Sequence, residues 1–178
     1  MKILGITHPI SLNSAACLLV DGKLIALVEE ERFNRIKHSP HLVPNKSIAY
    51  CLKEGGISLE DVDYIAIGYD SFFNVVSANL WEKLATLINR SRTVNLFIDR
   101  PTVPITFIDS LINFSLDYYQ GLRQLSFDYR DARVKFIRHH TAHAASAYYV
   151  SGFDSACIIS ADGGGGQEAG VLAVAKGN

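Results

Sequence analysis

Three histidines, His139, His140 and His143, fall within the six residues "RHHTAH". His139 and His143 are spaced i, i+4, which on a helix puts both imidazoles on one face, a turn apart. Two imidazoles so placed suit a divalent cation, although an ordinary helix accommodates the same spacing. His140 is rotated by about 100° and points elsewhere. Asp162 follows the apolar strand pattern "SACIISA" (155–161), so it emerges at the carboxyl end of a strand. Ligands collect at such ends in α/β sheets. A carboxylate with two imidazoles suits Fe(II), Mn or Zn. Gly163, Gly164 and Gly165 come next, in "DGGGG". Without Cβ atoms their N–H groups can closely approach an anion; a flexible turn is the alternative.

A second polar stretch, "EEERFNRIKH" (29–38), supplies Arg32, Arg35, Lys37 and His38 after a strand pattern. Such cations either form a solvated surface or grip phosphate-type oxygens. The three glutamates shape the strand end or meet an amino-bearing ligand.

The elements that must position these residues follow from pattern. "KILGIT" (2–7) is β-rich, and "SAACLLV" and "KLIALVEE" flank Asp21-Gly22, a hairpin signal. After a charged loop to residue 44, Asn45 is expected to cap a helix through "KSIAYCLKEGG" that ends at Gly55-Gly56. "SLED" (58–61) is a capped turn and "DYIAIGYD" (63–70) a fourth strand. Residues 71–130 form a helical insertion, with helical spacing at 75–89 and 109–126 separated by a two-proline stretch. "RVKFI" (133–137), a helix over 140–150, a strand over 155–161, the glycine loop and a strand over 168–175 complete the chain. This gives an α/β layer fold with a mixed sheet.

The 178 residues are 48 % apolar with a net charge of −1. One domain with a substantial core is expected, and nucleic acid is not an expected partner. Cys17, Cys51 and Cys157 each sit in an apolar run, as reduced thiols of a cytoplasmic protein do. No window reaches the roughly 18 apolar residues of a membrane span. His8, Pro9, Ser11 and Asn13 interrupt what would otherwise resemble a signal segment. "EAGVLAVAKGN" echoes "SAACLLVDGK", as though a three-strand unit starts twice. The chain is therefore expected to be a fragment: a first lobe over 1–154 and the first hairpin of a second over 155–178. Duplicated units of this kind organise the actin-like (ASKHA) superfold of acetate kinase, sugar kinases and actin.

Three stretches carry a more specific resemblance: "ILGI…NSAACLLVDGKLIALVEEERFNRIKH", "SIAYCLKEGGIS" and "HHTAHAASAYY…SADGGGG". They resemble the N-terminal part of the carbamoyltransferase family of the NodU and antibiotic O-carbamoyltransferase type, with 71–130 least similar. The resemblance implies an actin-like domain similar to the TsaD fold and a downstream YrdC-like domain that makes carbamoyl adenylate from carbamoyl phosphate and ATP. The carbamoyl group then passes to a hydroxyl of a small-molecule or saccharide acceptor. It implies a metal, usually iron, held by His139, His143 and Asp162, with a further aspartate from the second lobe. The family often has His-Asp or His-Asn before the "SAA" strand as a candidate base; here Leu12-Asn13 stands there. His8 is the expected substitute from the same loop, and Asn13 retains an amide for a carbamoyl or phosphate oxygen. Arg35, Lys37 and His38 become ligand-gripping candidates.

Other classes keep different features in view. The sister group that modifies tRNA fits poorly with the balanced charge. An actin-like kinase lacks reason for the histidine pair. A non-catalytic nucleotide-binding module or actin-like scaffold, or a homodimer, is compatible with half a duplicated fold.

Overall fold

The computed structural model describes residues 1–72, 76, 102–165 and 168–177. The helical pattern expected over 75–89, most of the proline stretch after it, and Gly166 lie outside these residues.

β1 (Lys2–Ile6), β2 (Ala15–Val20) and β3 (Lys23–Glu29) form an antiparallel meander. Asp21 and Gly22 take φ of +48° and +77°, the positive pair that a tight turn between twisted strands demands. β4 (Tyr64–Ile67) then pairs parallel with β1, and β5 (Val134–Phe136) pairs parallel with β4. The resulting sheet is mixed, in the order β3-β2-β1-β4-β5.

α1 (Glu31–Asn34) is a single turn. α2 (Asn45–Gly55) packs on β2 and β3 and ends at Gly56 in the left-handed conformation. A 3₁₀ turn over Leu59–Asp61 carries the expected capping box from Ser58. α3 (Thr102–Arg123) takes up most of the helical pattern expected over 109–126 and ends three residues earlier, at Arg123. Leu4, Leu18, Ile65, Ile67 and Leu122 are fully buried in one core with Ile48 and Cys51. Each such aliphatic side chain contributes about 1.5–3 kcal/mol. α3 also lies tight against the loop after β1: a Cβ on Gly121 would meet Pro9 at 2.6 Å. The chain is thus a mixed α/β fold, a five-stranded sheet with flanking helices.

Asn45 does not cap α2. Pro44 holds the cap position without a side-chain bond. The Asn45 amide donates to Gln124 O (2.8 Å) and accepts from Ser126 N (3.0 Å), tying α2 to the segment after α3. The buried Glu30 satisfies the helix end instead, accepting from Lys46 N, Ser47 N and the Ser47 hydroxyl.

α4 (His139–Tyr148) follows β5. β6 (Ser155–Gly165) and β7 (Glu168–Lys176) form a separate two-stranded sheet that packs on α4. β6 does not stop at Ala161 as expected. Gly165 still pairs with Glu168, and the register shifts between Ala161 and Gly165. Four steps along β6 there face two along β7, so Asp162 sits in a bulge, a feature that re-aims side chains.

Candidate metal centre and cleft

β4 and β5 end side by side, with Ile137 N donating to Ile67 O. The chain turns at Arg138 and enters α4, so His139 and His143 stand at the carboxyl edge of the parallel strands. Asp70, buried just past β4, accepts from His139 N at 3.4 Å. Its backbone carbonyl accepts from the buried Tyr118 hydroxyl of α3.

The two rings lie nearly perpendicular, their Nε2 atoms 3.1 Å apart. Asp162 comes from the β6 bulge, its Oδ2 2.8 Å from His139 Nε2 and 3.4 Å from His143 Nε2. The side chains of His139, Asp162 and His143 are 22 %, 38 % and 50 % exposed. Three donor atoms therefore form a triangle with edges of 2.8, 3.1 and 3.4 Å, close to the separation of ligands that share one cation at about 2.1 Å. Two neutral imidazole nitrogens facing each other this closely repel unless a proton or a cation lies between them. The donor set fits a borderline divalent metal, and its exposed side leaves room for further ligands.

The centre sits on the wall of a cleft of about 580 Å³. Thr7, Ser11 and Asn13 offer hydroxyls and an amide to it; Ile10, Leu12, Tyr69 and Ala142 make it partly apolar. Burial, with Asp70 beside it, raises the Tyr69 phenol, which stays neutral. Asn13 is thus brought together with His139, His143 and Asp162.

His8 is not. It is 1 % exposed and is not among the described residues lining the cleft. Its ring packs on Tyr118 at 4.3 Å and Tyr69 at 5.2 Å. Nδ1 accepts from Ile10 N, and Nε2 has no partner among the described residues. Burial lowers its pKa to about 3. A loop position suggests reach into the cleft; the aromatic wall from α3 draws the ring inward.

Arg35, Lys37 and His38 are exposed and do not line the cleft among the described residues. Their loop nevertheless adjoins the cleft loop: Ser14 N donates to His38 O and His41 N to Ser11 O. His41 Nδ1 lies 3.0 Å from Ile10 O. Arg35, His38, Ser39 and His41 all take positive φ, from +46° to +63°. His38 N donates to Glu31, which holds that carboxyl below its ordinary range. Gly163, Gly164 and Gly165 extend β6 directly after Asp162.

Sequence reasoning missed Tyr69 and Asp70, both inside the fourth strand pattern. An aspartate just past a parallel strand is a usable signal for the latter. It also missed the partner of His140, whose buried Nδ1 lies 3.1 Å from Ser160 Oγ. No helix among the described residues is long and apolar enough to cross a membrane.

The chain is 37 % identical over 168 residues to nodulation protein NolNO of Sinorhizobium fredii, covering 93 % of this chain and 21 % of that protein. It is 35 % identical over 161 residues to an uncharacterized protein of Synechocystis sp., covering 86 % and 24 % respectively. A 54-residue stretch is 56 % identical to an uncharacterized 19.2 kDa protein of Rhizobium etli, 30 % of this chain and 31 % of that one. The chain thus spans about a fifth to a third of the length of the curated relatives it matches. The family model described as carbamoyltransferase N-terminus matches residues 2–178, and with the relatives' identity this makes the chain a member of that carbamoyltransferase family.

Proposed function

We propose that the chain forms the metal-bearing part of an O-carbamoyltransferase that moves a carbamoyl group from carbamoyl adenylate to a hydroxyl of a small-molecule or saccharide acceptor. The observation that carries this is the His139–His143–Asp162 triangle opening onto the cleft, in a chain of the carbamoyltransferase family. The strand order β3-β2-β1-β4-β5, followed by a fresh hairpin, supports an actin-like domain with a first lobe over 1–154 and the start of a second over 155–178. Carbamoyl phosphate and ATP are the proposed sources of the adenylate, and the cytoplasm is the proposed location.

His139, His143 and Asp162 would hold the metal, with Fe(II) the proposed ion. When bound, it would supply Lewis acidity toward carbonyl or phosphoryl oxygens. Asn13, with Thr7 and Ser11 beside it, would hydrogen-bond and orient the oxygens of donor or acceptor. With donor and acceptor bound, the apolar side chains Ile10, Tyr69 and Ala142 would limit water around the activated carbamoyl group, which strengthens those bonds. The Gly163–Gly165 backbone is the proposed stabiliser of developing negative charge. His8 supplies no proton transfer in this scheme: it is buried, does not line the cleft among the described residues, and its Nδ1 is engaged by Ile10 N. Lys37 and His38 would act on the ligand from the adjoining loop.

Carbamoylation of a hydroxyl acceptor, dependent on carbamoyl phosphate and ATP, is the assay, run on the whole protein that carries this chain. His143→Ala is expected to lower bound Fe(II) to background and turnover by more than about 100-fold, beyond the loss usual for residues that merely support ligands. Wild-type turnover with unchanged metal content in that variant would remove the proposal.

A further inference from the structure

Resting on the metal reading above, we infer that His140 and Ser160 are positioning residues: their contact sets the register in which Asp162 meets His139 and His143. The β6-β7 sheet has two very different faces. Ile159, Leu172 and Val174 point outward, 74–79 % exposed. The opposite face, toward α4, is built on Ala156, Ile158, Val171, Ala173 and Ala175, all half-buried, with Val171 paired to Ser160. The alanines among them offer little shape to fix a register, and a slip of one residue would turn Asp162 away from the histidines.

Besides the contacts of Asp162 with His139 and His143, polar contacts among the described residues fasten the hairpin at two heights. At its open end Tyr148, the last residue of α4, donates its hydroxyl toward Asp154 O (2.9 Å) and Gly177 O (3.1 Å). At the other, His140 Nδ1 reaches Ser160 Oγ at 3.1 Å with the imidazole fully buried. Ser160 lies two residues before Asp162, about 7 Å along the strand. His140 is next to His139 and three residues before His143, their ring centroids 5.3 and 6.1 Å from its own. One contact therefore joins the helix that carries two ligands to the strand that carries the third, within one helical turn of both.

Two readouts on Ser160→Ala and Ser160→Thr test this. Histidine-ring ¹H–¹⁵N spectra of the metal-free protein report the geometry around Asp162 without any metal. Titration with Co(II), followed by its visible absorption, reports affinity and ligand geometry. Ser160→Ala deletes one oxygen and is expected to keep its circular dichroism spectrum, to shift the His139 and His143 ring signals, and to weaken Co(II) binding about tenfold. Ser160→Thr keeps the hydroxyl on a strand-favouring residue and is expected to restore both. His140→Phe combined with Ser160→Ala should be no worse than the more damaging single change, since both remove one contact. Ring signals and Co(II) affinity in Ser160→Ala that match the wild type overturn the inference and leave the metal reading standing. Shifted rings in a protein whose wild type takes up no Co(II) support the positioning role and overturn the metal reading instead.

Discussion

Two helices in this fold begin beside a buried carboxylate, and the two beginnings differ. At α2, Glu30 is saturated: Oε2 accepts from Ser47 N and the Ser47 hydroxyl, each at 2.8 Å, and Oε1 from Lys46 N at 3.3 Å. At α4, the Asp70 carboxylate takes one long bond, 3.4 Å, from His139 N among the described residues. The first helix start is closed into the core. The second stands at the carboxyl edge of the parallel strands, with His139 and His143 of the candidate metal centre on its first two turns. A helix end that only holds the fold spends its donors on the protein. One that serves a site leaves the neighbouring groups free to meet a ligand.

The comparison is sharpest at Glu30. Glu30→Ala strands two backbone donors and a hydroxyl in a buried place, each an expense of about 1–3 kcal/mol. A loss of about 3 kcal/mol in urea unfolding is expected, with Glu30→Gln recovering part of it by restoring one acceptor. A loss under about 1 kcal/mol would mean that water reaches the α2 end and that the two helix starts are alike.

These helix ends also show where the sequence was readable. The Asp21-Gly22 hairpin, β4, β5 and the 3₁₀ turn follow from local turn chemistry and apolar runs, and all appear. Asn45 reads as the cap from local sequence because the group that satisfies the α2 end, Glu30, lies seventeen positions from Ser47; what closes this helix is a tertiary fact. β6 was cut short at Ala161 because consecutive glycines weaken strand propensity, yet pairing with β7 carries the ladder to Gly165. The i, i+4 spacing placed His139 and His143 together because helix periodicity alone does so. That Asp162 reaches them depends on the bulge and on the register of a hairpin, which spacing does not encode. His8 was misplaced because Tyr118, which holds it, is 110 positions away.

His8 extends the contrast to histidines. The cleft imidazoles stand partly exposed beside a carboxylate, whereas His8 is closed in and its pKa is lowered to about 3 by burial. The unfolded chain binds this proton near pH 6.5 and the folded protein does not, so the unfolded state gains protons first as pH falls. Stability contributed by the neutral ring is complete above about pH 6.5 and declines by about 1.4 kcal/mol per pH unit below it, down to the folded pKa. Between pH 7 and 5 the wild type is expected to lose about 2 kcal/mol from this group. His8→Phe should flatten that part of the profile in urea unfolding at several pH values. An equally steep profile in the variant would show that His8 titrates in the folded state near its ordinary value.

The smallest effect is expected at Asp70. Its one long bond among the described residues and its place at the positive end of the α4 dipole together contribute about 1 kcal/mol. Asp70→Ala should therefore lower the melting temperature by roughly 2–4 °C in a chain of this size. Asp70→Asn keeps an acceptor for His139 N and should lie between the variant and the wild type. Because Asp70 touches the first residue of α4 and no ligand atom, Co(II) affinity should fall by less than about tenfold, the lower limit usual for groups that orient a ligand directly. A stability loss as large as that of Glu30→Ala would break the contrast between the helix starts: the α4 end would then be as closed as that of α2, and its long bond a poor guide to what it holds.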